Sequence, residues 1–277
     1  MFFFVCALYA EARPLIYALS LRKDAFSCPY ETYFAEDSSC VLTLSGMGPV
    51  AASGATSYLL TRFGFRSDRD FLINFGSCAG TGEGLHIVNK ITDSLTGRDY
   101  YPDMIYDLSS CGLPVSSEKA LTTVSRVVST LEDPDSLYEM EASGIFQAAY
   151  RFLPPHRMLF LKYVSDSGVE DPGSITGELL TQRAEQHIPT VLAVLERLKG
   201  ACEETPFIDE DLFLSTSYAL HLSETMRHEL YQLFAYARAS GADIEPILKE
   251  LESEGKIPAS SKREGKVVLD AIRQRLI

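Results

Sequence analysis

No two cysteines in this 277-residue chain are spaced as CxxC. The six that occur (Cys6, Cys28, Cys40, Cys78, Cys111 and Cys202) are scattered, several within apolar runs where reduced, buried thiols are common. A disulfide framework is therefore not expected at this size, and a cytoplasmic setting is the simplest reading. The five histidines and six cysteines show no metal-ligand spacing, so no metal is expected. Positive charge is scarce: 25 Lys and Arg stand against 38 Asp and Glu, a formal net charge of -13. A general field of that sign argues against binding nucleic-acid phosphates or an anionic membrane surface. Long apolar runs are missing too. Met1 to Leu8 is apolar, but it has no basic flank and falls short of the roughly 20 residues that span a bilayer. Repeats and low-complexity segments are absent.

What is present is an alternation of short apolar runs with helical patterns. Phe2–Leu8 reads as a central strand, apolar on both faces. A helix is expected over Glu11–Ser20, with Pro14 tolerated in its first turn. Further strands are expected at Tyr33–Phe34, Cys40–Leu44, Phe71–Asn74, His86–Ile91, Leu121–Val128 and Met158–Val164. Helices are expected at Val50–Arg62, Met140–Phe152 and Gly177–Leu198. Ser45-Gly46-Met47-Gly48-Pro49 reads as a tight turn, and Gly76 to Gly82 as a loop able to approach a ligand closely. The fold class is α/β: a mostly parallel central mixed sheet flanked by helices, whose ligands sit at the carboxyl ends of strands. The pattern changes over Lys199–Phe207. Residues 1–200 are read as the α/β domain and 207–277 as a helical C-terminal extension with helices at Ser217–Ala239, Ile244–Glu254 and Lys262–Leu276. Tyr218, Leu222, Met226, Leu230 and Leu233 recur there at helical spacing.

Five segments share a resemblance. They are Ala7-Leu8-Tyr9-Ala10-Glu11, Ser45-Gly46-Met47-Gly48, Asn74 to Gly80, Glu139-Met140-Glu141-Ala142 and Ser165-Asp166. In this order and spacing they resemble the nucleoside phosphorylase/nucleosidase superfamily, most of all its 5′-methylthioadenosine/S-adenosylhomocysteine nucleosidases, over about Val5 to Glu196. By pattern alone Glu11 also reads as a helix first-turn acid, Glu141 as a solvated helix acid and Asp166 as a strand-end cap.

The resemblance implies hydrolysis of the N-glycosidic bond of a purine nucleoside or thionucleoside. It implies Glu11, Glu141 and Asp166 as catalytic groups: the base that activates water, the ligand of the ribose hydroxyls and the group serving the purine N7. Met47, Ser77, Cys78, Glu139, Met140 and Ser165 are the implied substrate contacts. No cofactor is implied, and the partner is a small purine nucleoside. A homo-oligomer is implied, a dimer favoured, joined through the aromatic-rich loop Tyr100 to Tyr106. Phosphorolysis is the nearest alternative, and a catalytically weakened nucleoside-binding or scaffold protein the next. Two departures stand out. Lys162 occupies a position where these nucleosidases usually carry arginine, and Ser125 to Tyr138 lacks the segment whose aromatic ring stacks on the base.

Overall fold

A computed structural model describes residues 1–26, 29–168, 174–202 and 208–276. Two compact units divide the chain, Met1–Glu203 and Glu204–Ile277. Cys28 and residues 203–207, where the composition changes, lie outside the described part. Cys6, Cys40 and Cys78 are buried free thiols, and Cys111 is a partly exposed one.

The first unit is a mixed sheet between two helical layers. Its strands are β1 (Phe2–Cys6), β2 (Arg22–Lys23), β3 (Thr32–Phe34), β4 (Cys40–Leu44), β5 (Phe71–Ala79), β6 (Leu85–Asp93), β7 (Arg98–Tyr100), β8 (Glu118–Thr123), β9 (Leu137–Glu139) and β10 (Met158–Asp166). The helices are α1 (Tyr9–Ala18), α2 (Pro49–Phe63), α3 (Ala142–Ala149) and α4 (Gly177–Cys202). β1 is buried along its whole length and runs parallel to both β4 and β5, as an apolar run without alternation requires. β5 is also parallel to β10. β10 pairs β6, β6 pairs β8, β8 pairs β9, and β9 returns to β5, so these strands close a ring.

One face of the sheet is covered by α1 and α4 through Leu15, Ile16, Ile188, Val191, Leu195 and Leu198. The other is covered by α2 and α3 through Ala52, Leu59, Leu60, Ile145, Phe146 and Ala149. α2 and α3 approach closely because Gly144 has no side chain; a Cβ there would overlap the backbone of Pro49.

Three expectations need correction in this unit. The segment Gly76 to Ala79 is strand, not loop: β5 continues because β10 supplies a partner as far as Ala79, opposite Asp166. Strand β8 ends at Thr123, so Val124 to Val128 is loop. The helix expected over Met140–Phe152 is shorter, Ala142–Ala149, and a three-residue strand, β9, precedes it.

The second unit consists of α5 (Glu210–Ala219), α6 (Glu224–Ser240), α7 (Glu245–Ser253) and α8 (Lys262–Leu276) around its own core, which includes Leu220, Leu230, Phe234, Leu248, Leu251 and Leu269. The helix expected over Ser217–Ala239 is two. α5 stops at Leu220, His221 takes a positive φ of 50°, and Ser223 caps α6 by accepting from the Met226 N–H. Tyr218 therefore leaves the expected stripe and is 68% exposed. No helix among the described residues is long and apolar enough to cross a membrane.

Candidate active site

The ring of strands explains why distant carboxylates meet. Ala79, at the end of β5, is opposite Tyr138 of β9 on one side and Asp166 of β10 on the other. β1 runs beside β5 and delivers Glu11 through the turn into α1. The carboxyl ends of these strands surround a cavity of about 410 Å³, a size suited to a small organic ligand. Glu11, Met47, Ser77, Cys78, Glu139, Met140, Glu141, Ser165 and Asp166 all line it. The structure thus gathers every candidate residue into one place.

Glu11 is only 3% exposed yet borders the cavity. Its Oε2 accepts the Leu8 N–H at 3.1 Å; its Oε1 accepts from the Ser77 N–H at 2.9 Å and the Ser77 hydroxyl at 2.5 Å. Gly76 leaves the space for this carboxylate: a Cβ there would lie 3.4 Å from its Oε1. The Leu8 bond is the capping contact of a helix first-turn acid, as the pattern alone allows, whereas the Ser77 bonds tie the same carboxylate to β5, 66 residues away.

Glu139 and Glu141 behave differently although two residues apart. Glu139 borders the cavity, but both its oxygens are engaged. Thr123 Oγ1 donates to Oε1 at 2.8 Å, Lys162 Nζ lies 3.0 Å from Oε2, and the N–H groups of Glu141 and Ala142 also donate. Glu139, expected as a substrate contact, lies on the cavity wall and also anchors the turn that leads to Glu141. Glu141 accepts the Gly48 N–H at 2.8 Å through Oε1, across 93 residues of sequence. Gly48 can present that N–H because its φ is 97°, a conformation few other residues adopt. Burial, then the nearby Glu139 charge, pushes the Glu141 carboxyl up to about 7, against the opposing pull of Lys162 and the Gly48 bond. Burial pulls the Lys162 ammonium down, but Glu139, Glu141 and Glu11 outweigh it and hold it above the ordinary lysine value.

Asp166 sits after a bulge in which Ser165 is the extra residue between Val164 and Asp166. Bulges re-aim side chains beside binding sites. Here the Ser165 hydroxyl donates to Asp166 Oδ2 at 2.7 Å, and the Gly168 N–H donates to Oδ1 at 2.9 Å. Much of the remaining lining is aliphatic: Leu8, Val124, Val127, Val128, Ile175 and Leu180. Sequence reasoning missed these, along with the donors at Leu8 and Gly48. Isolated valines in a loop carry no local signal for a ligand wall. Val127 and Val128 stand on the segment where the stacking aromatic is missing.

No family model matches the chain. It is similar to the 5′-methylthioadenosine/S-adenosylhomocysteine nucleosidase of Bacillus licheniformis, with 24% identity over 212 residues, 64% of this chain and 89% of that protein. Among solved structures it is similar to the same enzyme from Neisseria meningitidis in complex with methylthio-immucillin-A. The TM-score is 0.56 and the identity 22%, covering 70% of this chain and 98% of that one. A futalosine hydrolase of Helicobacter pylori is similar at a TM-score of 0.57 and 12% identity, covering 70% and 97%. The chain has the fold of these nucleosidases.

Proposed function

We propose that the chain hydrolyses the N-glycosidic bond of a purine nucleoside or thionucleoside, of the methylthioadenosine/S-adenosylhomocysteine type or related to it. The observation that carries this reading is the convergence of Glu11, Glu141 and Asp166 on one cavity whose remaining lining is largely aliphatic. The similarity to curated and solved nucleosidases supports it.

Cleavage needs a protonated leaving base, a stabilised ribosyl cation and an activated water. Asp166 delivers a proton to N7, so the electron pair of the breaking C1′–N9 bond passes to a protonated ring and the base departs as a neutral purine. Glu141 binds the ribose hydroxyls, and its negative charge, when ionised, offsets the positive charge that develops on the sugar. Glu11, held by Leu8 and Ser77, takes a proton from the water whose oxygen bonds to C1′. Met47 and Met140 border the sugar, and the valine wall covers the base. Ser165 positions Asp166, and Glu139 positions Glu141.

Water rather than phosphate is the acceptor in this reading, because no Lys or Arg lines the cavity that holds Glu11 among the described residues. Phosphorylases hold their anion with such cations. The reading extends to a cytoplasmic homodimer joined through the loop after β7, where Tyr101 and Ile105 are 59% and 60% exposed. Base release from a panel of purine nucleosides in phosphate-free buffer tests the reaction. Product should form without phosphate, and added phosphate should yield no sugar 1-phosphate. A strict phosphate requirement would assign phosphorolysis instead, and binding without release would leave a nucleoside-binding protein.

A further inference from the structure

One aromatic residue lines the cavity of Glu11, Glu141 and Asp166 among the described residues, and it is Tyr138. It stands at the end of the stretch that lacks the expected stacking ring. Tyr138 lies in β9, where its partner in β5 is Ala79, and Ala79 is opposite Asp166 of β10 on its other side. Tyr138, Ala79 and Asp166 therefore form one row across three strands. With strands about 4.8 Å apart, the backbones at the two ends of the row stand roughly 10 Å from each other. Ala79 puts only a methyl group between them, which leaves room for a flat ring.

The Tyr138 side chain is fixed before a ligand arrives. Tyr138 is buried, and its hydroxyl accepts the Asp133 N–H at 2.8 Å. Asp133 is held in turn, since its carboxylate accepts from the Ser136 hydroxyl at 2.8 Å and the Asp135 N–H at 3.0 Å. Beside it, Thr81 Oγ1 donates to the Pro134 carbonyl at 2.5 Å. At the other end of this loop the Val124 N–H donates to the Glu139 carbonyl at 2.7 Å. The loop that carries Val127 and Val128 is thus tied to β9 at both ends. Groups already held in place lose little conformational freedom on binding.

We infer that Tyr138 is the aromatic contact of the leaving base and a determinant of base affinity. The inference rests on the proposed role of Asp166 at N7 and names the side chain that meets the rest of the ring. A purine held by N7 at one end of the row extends over Ala79 toward the Tyr138 ring at the other. Aromatic pairs gain from offset or edge-to-face contact as well as from parallel stacking.

Calorimetric binding of adenine to the full-length wild type, Tyr138→Leu and Tyr138→Phe tests this. Tyr138→Leu keeps an apolar side chain and removes the aromatic face, so adenine affinity should fall about 10- to 100-fold, the scale of a base–aromatic contact. Tyr138→Phe keeps the ring and loses only the tie to Asp133, so it should recover most of that loss. Unchanged affinity in Tyr138→Leu would remove the ring from the site, and an equal loss in both variants would assign the effect to the loop tie. Either result overturns the inference while leaving the hydrolase reading intact. Should Tyr138→Leu fail to fold, Tyr138→Trp decides, because the chain has no tryptophan of its own and the emission reports this position alone. Quenching by adenine upholds the contact, and emission unmoved at saturating adenine overturns it. If the folded wild type binds no adenine, no such base enters the cavity, and the proposed function falls together with this inference.

Discussion

Lys162 and Glu139 form an ion pair of 3.0 Å in which each side chain is 2% exposed. Neither group reaches solvent, so each neutralises a charge the interior would otherwise reject. Removing one partner of such a pair leaves an uncompensated buried charge, at a cost of about 3–5 kcal/mol. Lys162→Met should lower unfolding stability by about that amount in urea titration, and Glu139→Gln added to it should restore most of the loss. A single Lys162→Met variant as stable as wild type would show that Glu139 needs no counter-charge.

Asp166→Asn keeps the shape of the side chain and a hydrogen bond but cannot deliver a proton. Turnover on a purine nucleoside should fall by ~10²–10⁴-fold, the scale of a positioned acid, while the dissociation constant of the free base changes far less. Wild-type turnover in a folded Asp166→Asn protein would remove this residue from the chemistry.

Glu11→Gln replaces one acceptor oxygen with an NH₂ group. One of the Leu8 and Ser77 donors then faces another donor, and the base for water is lost. Single-turnover measurements should show the chemical step slowed by about 10²-fold or more. Binding of adenine or hypoxanthine, which does not use this carboxylate, should be retained.

Because burial raises the Glu141 carboxyl from 4.5 to about 7, the folded protein holds a proton there that the unfolded chain has released. Stability from this group is present below the unfolded value and declines as pH rises through the folded one. Thermal melts should therefore fall between about pH 5 and pH 7 by more in wild type than in Glu141→Gln, whose side chain does not titrate. The same variant loses charge at the ribose, so both KM and kcat should worsen. A wild-type melt whose pH dependence matches that of the variant would rule out the raised value.

Each unit has a core of its own, with Leu15, Phe75 and Leu161 in the first and Leu230, Phe234 and Leu269 in the second. A chain ending at residue 203 should fold and keep its turnover per site. A folded truncation that has lost catalysis would place a needed group in the helical unit.

Much of the architecture is written in local patterns. The unbroken apolar run at Phe2 to Cys6 can only be a strand buried on both faces, and the glycines flanking Met47 allow the turn that starts α2. The candidate acids follow or end such elements, so their place at one rim of a sheet is legible in the sequence. The sequence could not say how each acid on the cavity wall is held. Glu139 and Glu141 look alike in the chain. Thr123, 16 residues upstream, and Lys162, 23 residues downstream, engage the first, while Gly48, 93 residues away, donates to the second. β5 runs beyond its apolar core because β10 pairs with it there, and Tyr218 leaves the helical stripe because the chain turns at His221. Spacing along the chain sets which side of an element a residue occupies. What that side meets depends on segments brought together only by folding, and the burial and charge that tune Glu141 and Lys162 come from those meetings.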